Sequence, residues 1–178
     1  MPLKVFSEDF MASLIEEAKI NPRKRMHKNL HADYQEACQR FFNAIEPDSY
    51  LRPHCHGATQ GAETLIAIKG LLAFLIFGND GKLQAVHLFG AKNHAHKQSV
   101  AVGVEVQPGK WHTVISLESG SVLLELKGGP FDPEAPKYYA SWAPEEMTKE
   151  GQIYLEALKR EISLLGEPSE EGKLAIKH

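Results

Sequence analysis

The sequence predicts a mainly β protein, a small barrel or jelly roll flanked by a helix at each end. Three observations carry this. Between Arg40 and Lys127, about eight short β-like runs alternate with turn signals. One of them, Leu71–Phe77, is apolar throughout, as a strand inside a sandwich would be. On either side of this stretch the apolar spacing becomes helical.

The first helix starts at Ser7, a good N-cap, with Glu8 and Asp9 in the first turn where they complement the helix dipole. Met11, Leu14, Ile15 and Ala18 form its apolar stripe, which suits the barrel or a partner equally, and Asn21-Pro22 stops it. The segment from Pro22 to Cys38 is polar and has no clear period. Strands are expected near Arg40–Ile45, Tyr50–His56, Glu63–Lys69, Leu71–Phe77, Lys82–Phe89, Ser99–Val106, His112–Leu117 and Ser121–Lys127. Pro47-Asp48, Gly57 to Gly61, Asn79-Asp80-Gly81, Pro108-Gly109 and Ser119-Gly120 separate them, and the third is the best hairpin signal. After Gly128-Gly129-Pro130 the chain is expected to leave the sheet. Pro144 suits the first position of a second helix, with Glu145 and Glu146 following. Its stripe is Leu155, Leu158, Ile162 and Leu165, Gly166 ends it, and Gly151 is a weak point worth roughly 1 kcal/mol against Ala. The whole chain, 1–178, reads as one domain: a helix and basic segment over 1–38, a barrel core over 40–127, and a helical C-terminal extension over 128–178.

Composition narrows the function. The chain has 178 residues, 43% hydrophobic and 24% charged, with a formal net charge of −3, which excludes a basic nucleic-acid binder. It has no run long enough for a membrane span and no secretory h-region. Cys38 and Cys55 make no disulfide framework, and the expectation is reduced thiols in the cytoplasm. Nine histidines are many for this length and invite a metal.

His54-Cys55-His56 places two imidazoles on one face of a strand, about 7 Å apart, a gap that two ligands of one ion can close by leaning inward. Glu63 follows after a turn holding Gly57 and Gly61, and His112 opens a late strand after Pro108-Gly109. Three imidazoles and a carboxylate suit one divalent transition metal: Fe, Mn, Ni, Co or Zn. His94-Ala95-His96 is a rival pair in polar, loop-like company and reads as solvent-exposed. Cys55 and Trp111 point away from the metal face.

The segments Pro53-His54-Cys55-His56 … Glu63 … Gly70 and Pro108-Gly109-Lys110-Trp111-His112 resemble the two cupin motifs. That resemblance implies a cupin double-stranded β-helix and carries the metal ligands over as His54, His56, Glu63 and His112. Six residues separate His56 from Glu63, where most cupins have three or four, and the two glycines allow the longer turn. Pro22-Arg23-Lys24-Arg25, Asn29-Leu30-His31, Gln39-Arg40, Asn43-Ala44, Ser49 to His54, Gly109 to Thr113, Gly129-Pro130-Phe131 and Trp142 to Glu146 look like the WbuC-type cupin-fold metalloproteins. That family is associated with bacterial surface-polysaccharide (lipopolysaccharide) gene clusters and implies a small-molecule role without a settled reaction.

Alternation puts Tyr50 and Arg52 on the face of His54 and His56, so Arg52 reads as a hook for a carboxylate or phosphate, or else as an edge residue reaching water. Arg23 and Arg25 lie in a basic stretch that composition alone reads as a solvated loop and the resemblance places at the site. Glu125 shares a strand face with Leu123, at the barrel mouth or outside it. Glu125 and His31 are the acid/base candidates, and Arg52, Arg23, Arg25, Tyr50 and Lys137 the candidate ligand contacts. The expected partner is a small anionic molecule, a sugar or sugar-nucleotide, without nucleic acid or membrane, and a homodimer is conceivable. Two functions fit: a metal-dependent isomerase, lyase or dioxygenase-type enzyme, or a non-catalytic binding or sensor module with a structural metal.

Overall fold

The computed structural model describes residues 3–57, 61–91, 100–132, 137–165 and 173–176. Its elements are α1 (Glu8–Ile20), β1 (Arg25–Asn29), β2 (Cys38–Ile45), β3 (His54–His56), β4 (Glu63–Lys69), β5 (Leu71–Phe77), β6 (Leu83–Gly90), β7 (Gly103–Val106), β8 (Trp111–Ser116), β9 (Ser121–Gly128), β10 (Lys137–Tyr139), α2 (Lys149–Leu164) and β11 (Lys173–Leu174). The named strands pair antiparallel in two sheets, one ordered β1-β2-β9-β4-β7 and the other β10-β3-β8-β5-β6-β11. The two sheets face each other as a jelly roll, with α1 outside the first and α2 outside the second. Among the described residues no helix is long and apolar enough to cross a membrane.

Three apolar clusters follow from this layering. Ile45, Leu65, Leu72, Phe74, Phe89 and Leu123 fill the space between the sheets. Met11, Leu14 and Ala18 of α1 cover Phe42, Ala44 and Val122, so the helix stripe serves its own barrel. Leu155, Leu158 and Ile162 of α2 cover Ala73, Leu75, Phe77 and Ile115. Strand β5 is apolar at every position because its even residues enter the barrel while its odd ones meet α2. Burying a leucine of this kind stabilises by about 1.5–3 kcal/mol, so both helices are held mainly by their stripes.

The N-terminal reading holds closely: Ser7 caps α1, its side chain accepting from the Phe10 N–H at 3.2 Å. The second helix starts later than Pro144. Its N-cap is Thr148, whose hydroxyl accepts from the Gly151 N–H at 3.0 Å, and Pro144 to Glu146 fold back towards the barrel instead. Three strands escape the sequence pattern. β1 lies in the segment read as aperiodic. β10 brings the chain back to pair with β3 after it leaves the sheet at Gly128, and β11 adds two residues to the edge of β6. The run Tyr50–His56 is strand only over its last three residues.

Candidate metal centre

The site sits where β3 and β8 of one sheet face β4 and β9 of the other. His54 and His112 are direct cross-strand partners. His56, two residues on, shares their face, and Cys55 between them points the other way. Glu63 opens β4 and reaches across from the opposite sheet. Its carboxylate oxygens lie 3.3 Å from His56 Nε2 and 3.4 Å from His112 Nε2. One ligand atom from each of the four residues falls within 4.8 Å of the others, and all four side chains are buried. Despite the longer spacing after His56, the Glu63 carboxylate joins the three imidazoles.

The surroundings orient these rings for an ion. His54 Nδ1 lies 3.1 Å from the Arg52 carbonyl and His112 Nδ1 lies 2.8 Å from the Lys110 carbonyl. An Nδ1–H donated to a carbonyl leaves the Nε2 lone pair free to face the centre. The His112 ring also stacks on Phe74 at 5.3 Å. Both ring nitrogens of His56 are buried and neither makes a well-aligned hydrogen bond, although Nε2 lies 3.3 Å from Glu63 Oε1. Such polar atoms are rare in native proteins, and an ion held at the centre through Nε2 would supply the partner that this nitrogen lacks. The donor set therefore fits one divalent transition metal, while leaving its identity open. His94 and His96 lie outside the described residues.

Charge is graded around the centre. Burial holds the His54 imidazole well below its ordinary range, helped by nearby Lys137 and His112. Burial would raise Glu63, but the facing side chains of His112, His56 and Glu125 outweigh it and keep the carboxyl well below its usual range. Burial, followed by the charge of Glu63, pushes Glu125 well above its usual range. Of the two carboxyls, Glu125 thus keeps the proton. Lys127 Nζ is 3.5 Å from Glu63 Oε1 and also buried, which lowers its own pKa.

Two neighbouring cavity lobes border the centre. The first, about 260 Å³, runs from His54, Glu63 and His112 past Leu123 and Asn43 to Arg23, Arg25, Arg52 and Tyr139. The second, about 330 Å³, is walled by His31, Tyr34, Gln39, His56, Lys127 and Phe131. His27, Phe41, Glu63, Glu125 and Lys137 border both. Strand register explains this wall. Leu123, Glu125 and Lys127 of β9 alternate inward and pair with Asn43, Phe41 and Gln39 of β2, while His27 of β1 faces Asn43.

The predicted site residues fall into place unevenly. Glu125 is inside the barrel beside Glu63. Lys137 is the cross-strand partner of His56, and lines both lobes. Arg52 lines the first lobe, held by hydrogen bonds from Nε and Nη2 to the Ala140 carbonyl at 3.2 and 2.8 Å. Arg25 is buried and donates to Glu146 at 2.5 Å and to the Tyr50 carbonyl at 3.1 Å, with exposed Arg23 3.6 Å from the same Glu146. His31 lines the second lobe, its Nδ1 accepting from the Arg40 N–H at 3.0 Å. Tyr50 does not border either lobe. It is core beneath α2, its hydroxyl donating to the Pro144 carbonyl at 3.0 Å, because the chain at Tyr50 is not strand and alternation does not apply there. Lys127, His27 and Asn43 are among the cavity residues that the sequence reading did not single out, as are Tyr34, Phe41 and Tyr139. The alternation Leu123-Glu125-Lys127 was the available signal for the first.

The likeness to known proteins is one of fold. A family model described as a domain of unknown function, DUF6016, matches residues 6–89. No curated protein matches the chain. Among solved structures, CapF with the inhibitor 3-isopropenyl-tropolone superposes with a TM-score of 0.53 at 17% identity, over 67% of this chain and 32% of that one. A Shewanella oneidensis protein gives a TM-score of 0.51 at 12% identity, over 71% of this chain and 79% of that one. Recombinant oxalate oxidase in complex with glycolate gives 0.50 at 14% identity, over 79% and 68%. The chain spans 55% of another oxalate oxidase chain and about a third of CapF. What they share with this chain is the fold, a β jelly roll.

Proposed function

We propose that this protein holds one divalent transition metal with His54, His56, Glu63 and His112, and binds a small anionic sugar derivative beside it, as a WbuC-type cupin would. The observation that carries the reading is the charge of the cavity wall. It presents Arg23, Arg25, Arg52, Lys127 and Lys137 against Glu63, Glu125 and Glu146. The excess is cationic even before an ion is added, in a chain whose net charge is −3. A carboxylate or phosphate entering the first lobe meets guanidinium groups that pair with it in bidentate fashion.

When bound, the ion would supply Lewis-acid polarisation of a ligand oxygen. The chain's own residues do the rest. Arg52 is braced on Ala140, and Arg25 on Glu146 and Tyr50, so both guanidinium groups are positioned before ligand arrives. Glu125 stores a proton next to the centre, the property an acid/base residue needs at neutral pH. His31, tied by Nδ1 to the backbone of Arg40, is an alternative proton carrier facing the second lobe. The sequence resemblance supports a role linked to surface-polysaccharide synthesis, and two cysteines that make no disulfide framework support a cytoplasmic setting.

The test is calorimetry of uronic and aldonic acids and nucleotide sugars against the metal-loaded protein. Binding of at least one anion, weakened roughly tenfold or more by Arg52→Ala, is the expected result for loss of one charge-assisted pair. Equal binding by the variant, or binding of neutral sugars alone, overturns the reading.

A further inference from the structure

The second lobe differs from the first in what lines it. Among the described residues guanidinium groups line the first lobe alone, whereas the wall of the second carries the rings of His27, His31, Tyr34, Phe41 and Phe131. Tyr34 and Phe131 line it while staying 51% and 39% exposed. Their centroids are 5.0 Å apart with the planes at 60°, so the two rings form a corner, and the buried His31 ring lies 6.5 Å from that of Tyr34. This corner is built into the fold. Tyr34 lies between β1 and β2 and Phe131 just beyond β9. The Phe131 N–H donates to the Tyr34 carbonyl at 2.7 Å, and the Gly129 N–H to the Ala37 carbonyl at 2.9 Å. The Gln39 side chain donates to the Tyr34 and Glu36 carbonyls at 3.3 and 2.9 Å. A Cβ at Gly129 would lie 2.0 Å from the Glu36 carbonyl oxygen, so this close approach of the two segments needs glycine. Aromatic side chains pinned in place and left exposed beside a cavity mark a contact surface for a ligand.

We propose that the second lobe is a subsite for an uncharged sugar ring, so that the ligand is an acidic sugar carrying a second sugar unit. The inference rests on the anionic-ligand reading above and adds the chemistry of the ligand's other end. His56 and Glu63 line the second lobe, and His54, Glu63 and His112 the first, so a ligand with one unit in each has its link beside the candidate metal. The acidic unit belongs in the first lobe, where the guanidinium groups are. The face of an aromatic ring is its negative side and attracts the C–H face of a sugar. Parallel aromatic faces suit a planar base, whereas a corner at 60° suits a puckered ring that meets one face and one edge. Such a ring also brings hydroxyls that need polar partners. The exposed Asn29 amide lines the same lobe, and His31, whose Nδ1 accepts from the Arg40 N–H, keeps Nε2 as a donor.

The experiment compares free acids with their glycosides by calorimetry on the metal-loaded protein. D-gluconate is set against lactobionate and maltobionate, which are gluconate carrying galactose or glucose, and D-glucuronate against p-nitrophenyl glucuronide, which carries a flat aryl ring instead. At least one of the two aldobionates is expected to bind about tenfold more tightly than gluconate. Tyr34→Leu and Phe131→Leu keep apolar bulk and remove the ring, and each is expected to lose most of that gain while gluconate affinity and metal content stay at the wild-type level. Tyr34→Ala and Phe131→Ala take their place should a leucine variant misfold. Aldobionates that bind no more tightly than gluconate overturn the inference. So does a gain that survives in the variants, and so does a gain confined to the aryl glucuronide, which makes the lobe a site for a flat ring. In each of these cases acid binding itself survives, so the anionic-ligand reading stands. A wild type that binds none of these acids overturns the inference too, and takes the anionic-ligand reading with it only if no other anion binds.

Discussion

His56 is the residue on which the metal reading turns, because its ring nitrogens are buried without a well-aligned hydrogen bond while the Nδ1 of His54 and of His112 each lie against a backbone carbonyl. Its Nε2 faces a Glu63 carboxylate that carries its charge, so the pocket is arranged for a cation. The wild type is expected to carry about one metal per chain by elemental analysis, and His54→Ala/His112→Ala less than about a tenth of that, since each imidazole is a primary ligand. The pair His94→Ala/His96→Ala is expected to retain the full amount, and metal loss there instead would mean that the wrong histidines are assigned. Beside the ligands, Lys127→Met removes the ammonium 3.5 Å from Glu63 without emptying the space. Charge near a ligating carboxylate tunes its affinity, so metal dissociation constants measured by competition with a chelator should shift about tenfold, with the protein still folded. The four ligands were legible as residues because H-x-H, the glycine-rich turn and P-G-x-x-H are local patterns. Lys127, Asn43 and His27 were not, because each enters the cavity through long-range strand pairing that no local pattern reports.

At the scale of elements, Gly151 reverses its sequence reading. Helix propensity favours Ala by roughly 1 kcal/mol there. The structure puts a Cβ at that position 2.6 Å from the Glu145 carbonyl oxygen and 2.8 Å from the Tyr50 ring. Gly151→Ala should therefore destabilise, by roughly 1–3 kcal/mol in urea unfolding, since overpacking outweighs the propensity gain. A more stable variant would mean that α2 does not press on Tyr50. Strand β1 escaped notice for a related reason. Its inward positions Arg25 and His27 are polar because they line the cavity, while Met26 points out to the cluster beneath α1. The alternation is present with its sign inverted, and a search for apolar faces misses it. At the other end, Ser7→Ala should cost about 1 kcal/mol through the lost bond to the Phe10 N–H, visible as a lower melting temperature.

For the whole molecule, the buried His54 sets a pH dependence. The folded chain holds His54 well below the ordinary imidazole value, so it stays neutral where the unfolded chain takes up a proton. That contribution to stability is present above the unfolded value of about 6.5 and is lost as pH falls below it. Bound metal acts in the same direction, because protons and the ion compete for the same nitrogens. The increment in melting temperature on adding metal should be large at pH 8 and small at pH 5, and an equal increment at both would count against histidine ligation.

Local spacing carries the β-rich barrel, the capped helix from Ser7, the apolar strand β5 and the four residues of the buried histidine and glutamate cluster, because each is written over a few residues. Only the assembled fold shows that Tyr50 serves the core, that β10 returns Lys137 to face His56, and that Glu125 lies beside Glu63, with burial and that neighbour's charge pushing its carboxyl up. These depend on which strands pair and in which register. Register is set by the summed burial of both sheets and both helices rather than by any segment alone.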